Sequence, residues 1–181
     1  MKRSLFISIV ILCVSASAIS QKYSTKTGEI VFEASVPSFE EVKAKNSSVS
    51  AILNTETGDI AALVLVKGFR FKVALMEEHF NENYIESEKY PKATLKGSIQ
   101  DFELSALKDG PNHHTLIAAL TLHGKTKNLE IPIVLTATDE KLVLTSNFAL
   151  NPDDFDISIP NIVRSKVAKE VDVNVHLELS N

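Results

Sequence analysis

The sequence contains a single cysteine and no tryptophan. That cysteine is Cys13, close to the N-terminus of the 181-residue chain. If the N-terminal segment is removed on export, the remainder has no cysteine, so neither a disulfide framework nor a cysteine metal site can form. We therefore expect the fold to be held together by its apolar core.

Long apolar runs are also scarce, and the one from Leu5 to Val14 stands at the N-terminus. Two basic residues precede it and small residues up to Ala18 follow, which is the pattern of a secretory signal peptide. We predict a signal peptide over residues 1–18, with cleavage after Ala18 or after Ser20, and a periplasmic or secreted product. The run is too short to cross a hydrocarbon core of ~30 Å as a helix, so no integral membrane segment is expected in the mature chain.

Basic residues are fewer than acidic ones. The chain has 19 Lys and Arg against 23 Asp and Glu, a net charge of −4. Loss of Lys2 and Arg3 with the leader would make the rest more acidic. This balance disfavours nucleic acid and anionic headgroups as partners, because both reward clustered Lys and Arg. Residues 19–181 have the length of one domain.

Motifs typical of enzymes are absent. The chain has no G-x-S-x-G elbow, no glycine-rich phosphate loop and no H-E-x-x-H pair. We interpret His79 as a hydrogen-bonded helix residue, His113 and His114 as parts of a solvated turn, and His123 as a residue that positions a turn. The carboxylates within 153–156 lack the spacing and closing Glu of a calcium loop, so they are interpreted as a turn as well. The sequence predicts no enzyme, no cofactor and no metal site.

Apolar and polar residues alternate with a period of two, as in half-buried β-strands. The alternation is clearest over Val171–Leu179 and recurs at 30–36, 116–122, 129–135 and 142–148. Short connections with turn residues join these runs, which makes sequential strands antiparallel neighbours. About eight strands without βαβ spacing predict an all-β meander that closes into a barrel or folds as a sandwich.

One segment follows a helical period instead. From Leu75 to Ile85, apolar residues spaced for one helical face predict a short helix lying on the sheet. We expect Phe80, Tyr84 and Ile85 to pack it onto the barrel. His79 is expected to make a structural hydrogen bond and to coordinate no metal.

Two further segments are less regular. Both faces are apolar between Ile60 and Val66, so we expect that strand to be covered on both sides. Over Pro37–Lys45, Ser38 with Glu41 three residues on resembles a capping box, which indicates a second short helix or a turn.

Alternation alone does not decide whether such a barrel is filled or hollow. Each of the pairs Ala61-Ala62 and Ala118-Ala119 points one small residue inward, and no Trp is present to fill the space. In a hollow barrel, parity predicts a ligand lining formed by Phe32, Ala62, Val64, Phe71, Leu95, Leu116, Leu120, Ile133, Leu144 and Val173. In a packed barrel these residues form the core.

Three stretches of the sequence, MEEHF at 76–80, LTLHGKTK at 120–127 and DFDI at 154–157, resemble motifs of the YceI-like family, lipocalin-like periplasmic proteins that bind polyisoprenoid or other long-chain lipids. Residues 76–80, MEEHF, followed by SEKYPKATLKG, resemble the family's helix motif and Tyr-Pro strand start. Residues 120–127, LTLHGKTK, are similar to its Leu-Thr-x-His-Gly-x-Thr-Lys strand ending, and 154–157, DFDI, to its Asp-Phe-Gly-Ile. The resemblance implies an antiparallel lipocalin-like barrel of about eight strands with one or two short helices over 19–181, and an apolar, isoprenoid-like ligand. The resemblance also implies a structural role for six residues of these motifs: His79, Phe80, Tyr84, His123, Asp154 and Phe155.

The chain departs from the family pattern at three positions. Met76 stands where the family usually has Arg, and Pro152 stands where an Arg commonly precedes the Asp-Phe pair. Asp156 replaces a Gly. The two missing Arg side chains would be charge-assisted donors to a polar head, so the ligand's identity does not carry over from the family.

The function we expect is a lipid-binding protein that sequesters or carries a long apolar ligand inside the barrel. The alternative is a packed β-domain that binds a protein or glycan on its surface. That alternative would place exposed aromatics such as Tyr23 and Tyr90 in one patch.

Overall fold

A computed structural model describes residues 22–138 and 141–181. The predicted signal peptide lies outside these residues, and so does Asp139-Glu140, where the sequence predicts a turn between two strands. The described part contains two short α-helices, α1 (Ala74–His79) and α2 (Asn161–Arg164). Its strands are β1 (Lys22–Ser35), β2 (Lys43–Asn54), β3 (Asp59–Leu65), β4 (Arg70–Phe71), β5 (Lys92–Ile99), β6 (Pro111–Leu122), β7 (Lys125–Ala137), β8 (Lys141–Leu150) and β9 (Val167–Ser180).

Eight of the strands close into an antiparallel barrel. Hydrogen-bonded neighbours follow the order β1, β9, β8, β7, β6, β5, β3, β2, and β2 pairs with β1 to complete the ring. The two-residue strand β4 adds to the edge of β2. The predicted fold class is confirmed: the structure is an eight-stranded barrel with one extra strand and few short helices.

Side-chain alternation places the core inside this ring. In β9, Val173, Leu177 and Leu179 are buried while Asp172 and Glu178 are exposed. The other strands with clear alternation in the sequence are present as well. The prediction for the segment Ile60–Val66 is wrong, because the outward side chains of β3 are open to solvent: Leu63 is 36% and Leu65 is 58% exposed.

Strand β2 shows why part of the sheet was not evident from the sequence. Its buried positions change parity between Asn46 and Val49, because a bulge there shifts the pairing with β1. A buried Asn46 also takes a core position, where its amide donates to the Leu65 carbonyl at 3.0 Å and its oxygen accepts from the Ser48 backbone N–H at 2.9 Å. The polar residue and the parity change together hide the alternation.

Of the two alternatives predicted over Pro37–Lys45, a second short helix or a turn, the structure has the turn. The segment is the β1–β2 connection followed by the start of β2, and Ser38 has φ of +74°. An N-cap residue takes β-region dihedral angles, so this left-handed conformation belongs to a turn. The second helix of the structure is α2, just before β9.

The helix predicted over Leu75–Ile85 is present, but its hydrogen bonding changes from α-helical to π-helical after His79. α1 continues as a π-helical turn over Phe80–Tyr84, and the Ile85 N–H donates to the Phe80 carbonyl at 2.9 Å. Glu77 fixes this segment to β4 by accepting from the Arg70 guanidinium at 2.9 Å and from the Phe71 N–H at 3.1 Å. The helix therefore lies across one end of the barrel.

The two ends of the barrel differ. We call one the helical end, because the β1–β2 connection, α1 and α2 all lie there. At the opposite end, inward leucines from β2, β7, β8 and β9 form what we call the leucine floor; each is at most 1% exposed: Leu53, Leu135, Leu142 and Leu179. Leu142 and Leu179 are direct cross-strand partners, so the floor continues from strand to strand.

We predict that Leu135→Ala lowers the free energy of unfolding by about 2–5 kcal/mol, because it leaves a cavity in a fully buried layer. The matched control is Leu65→Ala on the outer wall, which should change it by about 0.5 kcal/mol or less. Urea unfolding of both variants measures the difference. Equal losses would show that the floor is not tightly packed.

Candidate ligand-binding cavity

The helical half of the barrel is hollow. It encloses a cavity of about 600 Å³, within the range of about 300–1,000 Å³ common for small-molecule sites. Along β7, β8 and β9, the inward residues Ile133, Leu144 and Leu177 line it, and the next inward position on each strand belongs to the leucine floor. The barrel is therefore packed at one end and open at the other.

The ten side chains predicted as a ligand lining all face this cavity: Phe32, Ala62, Val64, Phe71, Leu95, Leu116, Leu120, Ile133, Leu144 and Val173. Parity identified them because in a closed barrel every second residue of a strand points inward. That they contact a ligand stays a prediction. The sequence reasoning did not find Phe69 or the lining contributed by loops and helices, because those segments have no alternation to follow.

Four phenylalanines crowd one side of the cavity below α1. Phe80 stands against three of them, with ring centroids 5.4 Å from Phe32, 6.0 Å from Phe69 and 5.2 Å from Phe71. Tilted and edge-to-face contacts at these distances are favourable. Phe80 therefore attaches the helical segment to the barrel, as the helical spacing predicted, and it also forms part of the cavity wall.

The polarity of the lining is graded from the helical end inward. Among the described lining residues, the ionisable ones are Glu40, His79, Tyr84 and Lys166, and all four come from segments at the helical end. The rest of the wall is aliphatic and aromatic apart from Thr94 and Ser146, and the Ser146 hydroxyl donates to the Pro132 carbonyl at 2.6 Å. An unpaired charge or polar group there would lose its hydration without compensation, so the inner part suits hydrocarbon.

Met76 and Pro152 both line the cavity. These are the two positions at which the family pattern has Arg. In this chain they add apolar surface near the opening, and the donors that Arg would provide there are missing. The region around the opening is therefore less polar than it would be with Arg at these two positions.

His79 does not make the predicted structural hydrogen bond. Its ring is exposed at the helical end beside the cavity, and it bonds to no other residue in the described ranges. The helix turns the side chain toward the opening and away from neighbouring strands. Within the same ranges, no three His, Cys, Asp or Glu side chains are grouped so that they could hold a metal ion.

The hydrogen bonds expected of His79 are instead made by His123. Its Nδ1 lies 2.9 Å from the Phe155 carbonyl oxygen and its Nε2 lies 2.8 Å from Glu86 Oε2. Tyr90 packs edge-on against the imidazole with ring centroids 4.4 Å apart. Segments at 86–90, 120–127 and 154–157, far apart in sequence, therefore meet at one buried ring.

The backbone at this meeting point is unusual. His123 and Gly124 form the two-residue β6–β7 turn with φ of +50° and +75°, as a type I′ hairpin turn requires. Glu86 and Asp156 also have positive φ, at +46° and +55°. Asp tolerates the left-handed conformation better than most residues, which explains how Asp156 can replace the family's Gly.

Ion pairs tie the turn after β8 to β7. Lys125 Nζ lies 2.7 Å from Asp156 and Lys127 Nζ lies 3.2 Å from Asp154. The hydrogen bond from Lys125 holds the pKa of the Asp156 carboxyl below its usual value. The segment predicted as a turn is a 3₁₀ turn over Pro152–Phe155, in which Asn151 Oδ1 accepts from the Asp153 N–H at 3.0 Å.

A family model for the YceI-like domain matches residues 16–179. The chain belongs to the YceI-like family. The resemblance drawn from the three motifs is thereby confirmed. In this YceI-like chain the sequence shows the three motifs separately. It does not show that they meet at His123, because Glu86 belongs to no alternating pattern.

Solved structures share the YceI-like fold at low sequence identity. A polyisoprenoid binding domain from Saccharophagus degradans, implicated in plant cell wall breakdown, superposes with a TM-score of 0.74 at 13% identity over 88% of this chain and 98% of that one. BcnA from Burkholderia cenocepacia gives 0.69 at 16% identity over 84% and 96%. The YceI protein of Campylobacter jejuni gives 0.64 at 14% identity over 81% and 88%. A search of curated proteins found no match.

The surface-binding alternative required exposed aromatics in one patch. Tyr23 lies at the start of β1, near the leucine floor, and is partly buried against the core. Tyr90 lies at the helical end and packs on His123. The two tyrosines are therefore at opposite ends of the YceI-like barrel and form no common patch.

We predict that His123→Ala lowers the free energy of unfolding by about 1–3 kcal/mol, because it leaves the Phe155 carbonyl without its partner. His113→Ala is the control, since His113 is exposed on the outer face of β6. Thermal unfolding compares the two. A His123 variant as stable as the His113 variant would contradict a structural role for this ring.

Proposed function

We propose that the protein binds a long apolar, isoprenoid-like molecule in the helical half of the barrel and sequesters or carries it without chemical change. The single observation that carries this proposal is the cavity itself: it is apolar, closed below by the leucine floor and open at one end. Apolar surface removed from water on binding supplies the driving force, at roughly 25 cal/mol per Å².

The family relationship supports the same class of ligand. The Saccharophagus degradans domain with the same fold is a polyisoprenoid binding domain. We extend apolar ligand binding to this chain. We do not extend the headgroup, because Met76 and Pro152 replace donors with apolar surface at the opening.

Export forms part of the proposal. We infer that residues 1–18 are a leader, that cleavage follows Ala18 or Ser20, and that residues 19–181 act as a single domain in the periplasm or outside the cell. No helix in the described ranges is long and apolar enough to span a membrane. Binding without catalysis agrees with the lack of a catalytic motif in the sequence.

We predict that purified protein retains an apolar molecule, detectable by native mass spectrometry and by analysis of an organic extract. Ala62→Trp should weaken uptake of a fluorescent isoprenoid analogue roughly tenfold or more, because an indole would occupy space that a bound chain needs. Ala61→Trp is the matched control, since the neighbouring side chain points outward.

Equal uptake by both variants would show that the ligand lies elsewhere. Absence of any bound lipid in several preparations, together with no uptake of the analogue, would refute the proposed function. Circular dichroism of both variants establishes that the barrel is intact.

A further inference from the structure

Exposed apolar side chains are concentrated at the helical end. The four most exposed large ones in the described part of the chain are Ile162 at 83%, Leu65 at 58%, Leu75 at 57% and Phe39 at 47%. They come from α2, the end of β3, α1 and the β1–β2 connection, which all lie at that end. Single exposed apolar residues are common on protein surfaces, but a group around the opening of an apolar cavity indicates a contact surface.

Formation of the cavity does not explain why three of these side chains are exposed. Ile162, Leu65 and Leu75 do not line the cavity. Ile162 stands next to Val163, which does face the cavity. The α2 turn therefore presents one apolar side chain to the interior and its neighbour to the outside.

Basic residues accompany the apolar tip of α2. Arg164, Lys166 and Lys169 are exposed, and none forms an ion pair with another residue in the described ranges. By contrast, Lys43 and Lys45 on the barrel wall are each paired with a glutamate, at 3.0 and 2.5 Å. Arg164 Nη2 donates to the Ile159 carbonyl at 3.3 Å, but no carboxylate in these ranges neutralises its charge or those of Lys166 and Lys169, so the three charges can attract an anionic partner.

We infer that the helical end docks on the surface of an anionic lipid bilayer, with Ile162 inserted at the interface and Arg164, Lys166 and Lys169 against lipid phosphates. An apolar tip flanked by cations is the composition of peripheral membrane contacts. Docking in this orientation brings the opening of the cavity against the lipid. An apolar ligand then passes between bilayer and barrel without crossing water.

The net negative charge of the chain by itself disfavours an anionic surface, so docking on one depends on where the charges lie. The chain carries a net charge of −4, and the acidic pair Glu40 and Glu41 lies on the β1–β2 connection. Repulsion of these two carboxylates from an anionic surface favours an approach through α2, with Phe39 farther from the bilayer than Ile162. Surface potentials fall off within a Debye length of about 8–10 Å, so the local cations dominate at contact.

The absence of Trp from the sequence allows a direct test. Ile162→Trp introduces a unique fluorophore at the proposed contact, and Ile117→Trp places the matched control on the outer wall of β6. We expect the emission of the first variant to shift to shorter wavelength on addition of phosphatidylcholine–phosphatidylglycerol vesicles. The emission of the second should stay unchanged.

Charge substitutions test the electrostatic part. Arg164→Gln combined with Lys169→Gln should weaken binding to these mixed vesicles by roughly fivefold for each cation removed, measured by vesicle flotation. Both residues lie outside the cavity lining, so uptake of a detergent-dispersed isoprenoid analogue should be unchanged in this variant. Vesicles of phosphatidylcholine alone should bind wild type and variant equally.

The docking inference is wrong if wild-type protein binds neither kind of vesicle, or if both tryptophans respond alike. It is also wrong if the double substitution leaves binding to mixed vesicles intact. These outcomes are separate from the fate of the proposed function, because uptake of the dispersed analogue is measured without any bilayer. If the protein binds vesicles but takes up no analogue, the docking inference is supported and the proposed carrier function is refuted.

Discussion

Closure of the β-sheet by pairing of β1 with both β9 and β2 is the constraint on which the structure depends. It gives the strands of the ring hydrogen-bonded neighbours on both sides, so the wall is held by backbone hydrogen bonds. The interior then need not be filled throughout. The chain packs leucines into one half, where apolar burial contributes stability, and leaves the other half open without breaking the ring.

Much of this could be predicted from the sequence because a strand in a barrel repeats every two residues. The alternation of β6 to β9 identified their inward faces, and the helical spacing from Leu75 to Ile85 identified the segment across one end. The predictions that failed concerned an irregular strand or the solvent exposure of a strand face, which only the folded arrangement determines. The bulge near Asn46 changed the parity of β2, and the outward face of β3 was apolar without being covered.

Alternation could not show whether the barrel is filled, because inward residues give the same sequence pattern in a packed layer and in a cavity wall. Ile133 and Leu135 are successive inward aliphatic residues of β7, and only the closed barrel shows that the first borders the space and the second closes it. The same limit applies to His123. Its turn role followed from its position before Gly124, while its partners Glu86 and Phe155 are 37 and 32 residues away in sequence.

The leucine floor makes the cavity a blind tube. A linear molecule that enters must do so end first, and the end that enters first must leave last. Solvent or a previous occupant has to leave through the same opening, so exchange is sequential. The depth from the opening to Leu135 and Leu142 then sets how much of a chain is sheltered, and any longer remainder projects from the helical end.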